Sequence, residues 1–389
     1  MSYTVECSWD ELFAATEPAR HGRAEGEPHP TPEAYDESYT LPPHRVKSLE
    51  LRYPCERDRH IRFLEEPHIY LVNEVPMEIS VTGIVHAYGG SFDAPKIIQG
   101  MQAARRQAWP RLKYAFNAAR VDALDSPRNS SHLVLIVDTR DADQRTLWTG
   151  EAPEVLSEAW VLGRAKAGLS RYRFSDDVEF DQLAIYTYER ALEPDEIKVE
   201  WARNATQSAN MGTEAHLNME LWSNSEPARR CPELRQGLEF VRDQLVPLGI
   251  KSFRTEWELW AEDEGFAGSC DWVGQLPSGN LVIVDWKRTS NHEVHSQYNK
   301  FLSAPLDHID DTDVAKFALQ LGTYMWTIER YYGHRVEALA LCSIHPEHGF
   351  FMFVPYLRLE VDFLMAKRRQ RMAMRRLIST VHIDEVPRC

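Results

Sequence analysis

The sequence predicts an α/β protein in which a mixed β-sheet is flanked by helices, with an α+β region and a β-rich insertion ahead of it. Three observations carry this prediction. From residue 201 onward, helical and strand-like patterns alternate, as they do where helices cover a sheet. An apolar run, Leu281 to Val284, lies between a Pro-Ser-Gly-Asn turn at 277–280 and a charged Asp-Trp-Lys. A run of this kind reads as a buried central strand, and the turn pairs it with the segment Gly268–Leu276 as a hairpin. With 389 residues, 43% of them hydrophobic, the chain is long enough for a large core and two or three structural units.

Residues 1–45 are rich in Glu, Pro and His, and Ala14–Pro43 lacks periodicity. They read as a flexible, acidic, Pro-rich arm. Residues 46–125 read as an N-terminal α+β region. Ile61–Leu64 and His68–Val72 are strand-like with a turn at Asn73, and Ser80 or Thr82 caps a helix. A helical pattern runs from Ala94 to Ala119, and Trp109-Pro110 interrupts or restarts it. Residues 126–200 read as the β-rich insertion, with strands at Ser131–Asp138, Arg171–Phe174 and Glu179–Tyr186 and a helix opening after Glu189. The run from Phe180 through Ile197 resembles the last strand and tail of concanavalin-like sandwiches, although the stretch is too short for a whole one. Residues 201–389 form the predicted core. Helices are expected at Trp201–Trp222, Pro232–Leu248, Thr312–Tyr332 and Arg358–Ser379. Strands are expected at Phe253–Ala261, Gly268–Leu276, Leu281–Lys287, Val336–Ser343 and Gly349–Pro355.

The candidate chemistry lies at the strand ends of this core. Strands have period 2, so Asp285 and Lys287 point to one side, and Asp271 reaches that side from the partner strand. Two carboxylates and an ammonium then converge. Hard oxygen ligands of this kind suit Mg²⁺ or Mn²⁺, and a lysine beside them can orient a water or steady a phosphate oxygen. His216, within a Met-Gly-Thr-Glu-Ala-His helix segment, can add an imidazole ligand, with Glu220 one turn further on. Gln320 and Tyr324 stand at i and i+4 on one helix face. Glu256, Glu258 and Trp260 share one strand face, and Glu256 is expected either behind the ligands or as a charge on an edge strand.

Taken in order, Gly-Thr-x-x-His, Glu, Gly-x-x-Asp, Asp-Trp-Lys and Gln-x-x-x-Tyr resemble the RecB-like, lambda-exonuclease-type branch of the PD-(D/E)XK nuclease superfamily. The mitochondrial genome maintenance exonuclease and viral relatives are similar proteins of that kind. The resemblance covers about Trp201 to Pro355 and extends more weakly to Ile79-Ser-Val-Thr-Gly-Ile-Val. It implies a restriction-endonuclease-like core and a metal-dependent deoxyribonuclease, an exonuclease or a nuclease processing ends or single strands. His216, Asp271 and Asp285 would hold the metal, with the Trp286 carbonyl as a further ligand. Lys287 would help to activate the attacking water, and Gln320 and Tyr324 would position Lys287 or the DNA backbone. An RNA endonuclease of the same fold and a non-catalytic binding protein with a decayed core are the alternatives.

Six cysteines stand far apart with no C-x-x-C pair, so no iron–sulfur cluster or structural zinc is expected, and free thiols suggest a reducing compartment. No apolar run is long enough to span a bilayer, and no signal-peptide pattern opens the chain. The expectation is an intracellular protein, cytoplasmic or nuclear, with DNA and not a membrane as its partner; the oligomeric state is left open. The formal net charge of −15 argues against a polyanionic partner, but its distribution is uneven. Residues 1–200 carry 23 Lys and Arg against 34 Asp and Glu; residues 201–389 carry 21 against 25. Two basic patches, Lys367–Arg376 and Arg105-Arg106 with Arg111 and Lys113, either track phosphates or form solvated helix faces. Four aspartates in 307–313 read as an acidic helix start complementing the dipole.

Overall fold

A computed structural model of the chain describes residues 47–380 apart from 104–108, 122–132, 141–143, 152, 172–177, 290–293, 297–299 and 347–348. The arm 1–45, the Arg105-Arg106 pair and most of the strand expected at Arg171–Phe174 lie outside the described residues. The rest falls into two compact units. One comprises the described residues up to Gly90 and those from Ala209 onward; the other spans Ser91–Ser208.

The chain opens with α1 (Ser48–Arg52), β1 (Ile61–Leu64), β2 (Ile69–Val72), β3 (Val75–Pro76), β4 (Ile79–Ser80) and α2 (Val81–His86). β1, β2 and β3 form a small antiparallel sheet. Its β2–β3 turn is made by Asn73 and Glu74, both at positive φ (49° and 63°). The side chain of Ser80 caps α2, its Oγ accepting from the Gly83 N–H at 3.0 Å.

The second unit holds α3 (Ala94–Ala103), β5 (Ala115–Phe116), β6 (Ala119–Arg120), β7 (Leu133–Asp138), β8 (Thr146–Glu151), α4 (Glu158–Ser170), β9 (Leu183–Tyr188) and β10 (Arg190–Ala191). The helix expected over 94–119 ends early. Residues 112–114 form a 3₁₀ turn and 115–116 a strand, beyond a proline, Pro110, that has no N–H to continue a helix. Nor is the insertion built of strands alone. Ser157 caps α4 by accepting from Trp160 N–H at 3.3 Å, and Val161, Ala165 and Leu169 give it a buried stripe against the sheet β6-β9-β7-β8. The helix approaches β8 so closely that a Cβ on Gly168 would lie 1.7 Å from the Leu147 carbonyl oxygen. That stripe is short and broken by glycines, which is why periodicity does not reveal it.

α5 (Pro194–Ser223) joins the helix expected to open after Glu189 to the one expected at Trp201–Trp222, with Asp195 and Glu196 in its first turn. Next come α6 (Pro232–Phe240), β11 (Lys251–Ala261), β12 (Phe266–Gln275), β13 (Leu281–Lys287), α7 (Asp313–Thr327), β14 (Val336–Ile344), β15 (Gly349–Phe353) and α8 (Arg358–Thr380). α6 and α7 each run on into a π turn, at 241–245 and 328–332.

The strands make one mixed sheet in the order β11-β12-β13-β14-β15, with β4 pairing the start of β12 in parallel. β13 and β14 are parallel and central; the other neighbours are antiparallel. One face, with Trp257, Leu259, Ile283 and Leu341, packs against α2, α7 and α8. The other, with Trp272, Val284, Trp286 and Cys342, packs against α5 and α6. Cover on both faces explains why β13 reads as an unbroken apolar run. Among the described residues, no helix is long and apolar enough to cross a membrane.

Candidate functional site

The site begins where two strands part. β12 and β13 are paired from Gln275↔Leu281 to Trp272↔Val284, and no further. Beyond that point Cys270 packs in one core cluster while Trp286, the residue in line with it, packs in the other. The backbone N–H of Trp286 therefore loses its ladder partner. It donates instead to Asp271 Oδ2 at 2.9 Å. The carboxylate of Asp271 is thus fixed in the fork between the strands.

Two further ligand-type side chains reach the fork. Glu256 lies on β11 between the pairs Thr255↔Trp272 and Trp257↔Cys270, which sets it across from Asp271. Its φ is +42°, a left-handed conformation that strains a glutamate and is held by the strand pairs on either side. Ser269 Oγ donates to Glu256 Oε2 at 2.7 Å. His216 arrives from α5. Its Nε2–H donates to the Trp286 carbonyl at 2.8 Å, and its Nδ1 lies 3.5 Å from Asp271 Oδ2 and 3.7 Å from Glu256 Oε1. One ligand atom from each of His216, Glu256 and Asp271 lies within 4.8 Å of the others.

Two carboxylates facing one imidazole nitrogen set up a repulsion at Nδ1. With Nε2 donating, a neutral ring would aim the Nδ1 lone pair at two carboxylates. A proton on Nδ1, a proton on the Asp271 carboxyl or a metal ion resolves the repulsion. Burial alone would lower the pKa of His216, but the charges of Asp271 and Glu256 and the bond to Glu256 raise it to about 9. Burial pushes the Asp271 carboxyl up, with His216 opposing and Asp285 adding to the rise. For Glu256, burial is outweighed by the His216 bond and charge and by Ser269, so its pKa falls. One imidazole nitrogen and two carboxylates form a donor set that fits Mn²⁺ or Mg²⁺.

On the other side of β13, Asp285 is 1% exposed, and its Oδ2 pairs with Lys287 Nζ at 2.7 Å. Strand alternation does put the two on one side. Burial opposes the charge on Lys287, but Asp285 first and then Asp271 hold its pKa above the ordinary lysine value. The ammonium also sits 4.7 Å from the ring centroid of Phe317 on α7. Gln320 Nε2 lies 3.5 Å from Asp285 Oδ1, at the edge of bonding distance.

The structure thus gathers His216, Asp271, Asp285, Lys287, Gln320 and the Trp286 carbonyl at one fork. It also divides them. Glu256, expected behind the ligands or as an edge-strand charge, stands in the convergent group of three. Asp285 faces Lys287 instead, and the Trp286 carbonyl faces His216. Tyr324 is 2% exposed in the core behind β12, its hydroxyl 3.0 Å from where a Cβ on Gly268 would lie. Glu220 is buried one turn beyond His216, and its backbone carbonyl accepts from Asn224 Nδ2 at 2.9 Å. Sequence reading missed Phe317 and Ser269. Each carried a signal: Phe317 stands three residues before Gln320 on the same helix, and Ser269 two residues before Asp271 on the same strand. No protein-family model matches the sequence, and no curated protein matches it either.

Proposed function

We propose that the fork is the active site of a divalent-metal-dependent nuclease that hydrolyses DNA phosphodiester bonds, as an exonuclease or on ends and single strands. The observation that carries this reading is the placement of Asp271 on β12 and of Asp285 and Lys287 on β13, with His216 and Glu256 closing round Asp271. The mixed sheet with α5 and α7 on opposite faces agrees with a restriction-endonuclease-like core of the PD-(D/E)XK kind.

His216, Asp271 and Glu256 would hold Mg²⁺ or Mn²⁺, with Asp285 and the Trp286 carbonyl beside them. The bound ion would supply charge neutralisation and a water of lowered pKa. The chain's own groups do the rest. Lys287, kept cationic by two carboxylates and steadied by Phe317, can hold a water for in-line attack or stabilise a phosphoryl oxygen. Asp285, anchored by Lys287 and near Gln320, is the acceptor closest to that ammonium. The Trp286 indole is 1% exposed and packs against Trp272 and Phe240 in the core beneath its own backbone.

The test is digestion of end-labelled single- and double-stranded DNA with Mg²⁺ or Mn²⁺, in parallel with an RNA of the same sequence. Cleavage of the deoxy substrate that disappears in Asp285→Asn is expected. Cleavage of RNA alone would move the site to ribonuclease chemistry. No cleavage of any strand, with Mn²⁺ still bound, would make it a binding site only.

A further inference from the structure

The arginine-rich helix α8 holds a cluster that the metal site does not use. Its basic run divides in two. Arg369 pairs with Glu264, and Arg376 lies 3.3 Å from Asp263, both on the β11–β12 turn. These contacts, with Arg368 Nε donating to the Glu264 carbonyl at 2.9 Å, clamp the helix to the hairpin. Three arginines of the run, Arg368 among them, converge on one carboxylate. Glu78 receives Arg368 at 3.0 Å, Arg371 at 2.6 Å and Arg375 at 2.8 Å. Spacings of three and four residues put all three guanidinium groups on one helix face.

Three guanidinium groups against one carboxylate leave two positive charges uncompensated. They are not distributed evenly. The Arg368 side chain is 11% exposed, whereas those of Arg371 and Arg375 are each 59% exposed. Each guanidinium has five N–H donors in a planar fork, and Glu78 has only two oxygens to share among three forks. Arg371 and Arg375 therefore present donors to solvent, side by side, on a chain whose net charge is −15. A local cationic pair that survives so acidic a balance calls for an anion with several oxygens, and bidentate geometry suits phosphate.

We propose that Arg371 and Arg375, backed by the Glu78–Arg368 pair, form a phosphate-binding surface for a nucleic-acid backbone. The proposal rests on the nuclease reading for its choice of nucleic acid. It also places the contact. Glu78 N–H donates to the carbonyl of Gly265, the turn residue just before β12 and six residues from Asp271, at 3.1 Å. Six strand residues span roughly 20 Å. The phosphate gripped here is therefore not the scissile one but one several nucleotides away, at ~3.4 Å of duplex axis per phosphate of a strand. Such a contact gives affinity and register without sequence preference.

The experiment is binding of a fluorescently labelled duplex to the full chain in EDTA, where cleavage cannot occur, across a salt series. Arg371→Ala/Arg375→Ala should weaken binding at low salt and lower the slope of log K against log salt by about 2, near 1 for each lost phosphate contact. Arg371→Lys/Arg375→Lys should keep most of the slope. Both side chains are exposed and mutually repelling, so the double alanine variant should melt no lower than the parent. An unchanged affinity and slope in a folded double variant overturns the proposal. So does binding to vesicles of anionic phospholipid with none to DNA. The nuclease reading fails separately: DNA binding that depends on both arginines, with no cleavage in any metal, would leave this surface standing without that active site.

Discussion

At the scale of the residue, each group in the fork has a distinct expected signature. Asp271→Asn and Asp285→Asn should each abolish cleavage while circular dichroism stays unchanged. Their effects on metal should differ, because only Asp271 stands in the convergent group. Calorimetric titration with Mn²⁺ should show a large loss of affinity in Asp271→Asn and a smaller one in Asp285→Asn. Glu256→Gln should behave like Asp271→Asn; near-normal Mn²⁺ binding by this variant would return Glu256 to a supporting role. Lys287→Ala should keep metal binding but lose turnover by about 10²-fold or more, the usual loss for a positioned acid–base or electrostatic group. Single-turnover cleavage beside Mn²⁺ titration separates the two effects. Loss of metal binding in Lys287→Ala would show instead that the ammonium only holds Asp285 in place.

At the scale of the element, the fork depends on how closely helices approach β12. Gly268 lies where α2 and α7 both crowd the strand: an added Cβ would stand 2.8 Å from Val81 Cγ2 and 3.0 Å from the Tyr324 hydroxyl. Gly268→Ala should therefore destabilise the protein by roughly 1–3 kcal/mol, the range for overpacking a filled core. Urea denaturation measures this. Gly268→Ala combined with Tyr324→Phe should recover part of the loss, because the phenol oxygen is one of the two obstacles. An additive pair would mean that Val81 alone is the clash. Tyr324→Phe by itself also distinguishes the two roles open to this residue. Weakened cleavage with normal stability would place its hydroxyl in substrate positioning; lowered stability with normal cleavage would place it in the core.

At the scale of the whole molecule, a proton on His216 would couple stability to pH and, on the proposed reading of the fork, to metal. In the metal-free protein its pKa is raised to about 9 from an ordinary 6.5. A histidine with a raised folded pKa contributes stability that is fully present below the unfolded value and is lost as pH rises through the folded one. The metal-free protein should thus lose stability between about pH 6.5 and 9. Metal affinity should move the other way, because the ion must displace that proton. Melting temperatures measured over this range, with and without Mn²⁺, should diverge as pH rises, and titrations in buffers of different ionisation heat should show proton release. A gap between the two curves that does not change with pH would show that His216 is not a ligand.

Much of this arrangement was determined by the sequence alone. Period 2 on an apolar run puts Asp285 and Lys287 on one side of β13, whatever surrounds them. A Pro-Ser-Gly-Asn turn makes β12 the partner of β13. Ser80 and Pro232 mark helix starts, because a cap and an N-terminal proline act within a single turn. Local chemistry of this kind is readable because its causes lie within a few residues. What the tertiary structure decided lies between distant segments. The β12–β13 ladder ends at Trp272↔Val284, so Asp271 turns to the Trp286 amide. The β11–β12 register then sets Glu256 across from Asp271 and holds it there at a strained positive φ. The same long-range packing buries Tyr324 and spends Arg369 and Arg376 on the hairpin turn while leaving Arg371 and Arg375 exposed. No local pattern encodes where a strand pair splits or which of six cations meets a carboxylate. Those outcomes depend on how sheet and helices share one core, where the gain from packing outweighs the preference of any single residue.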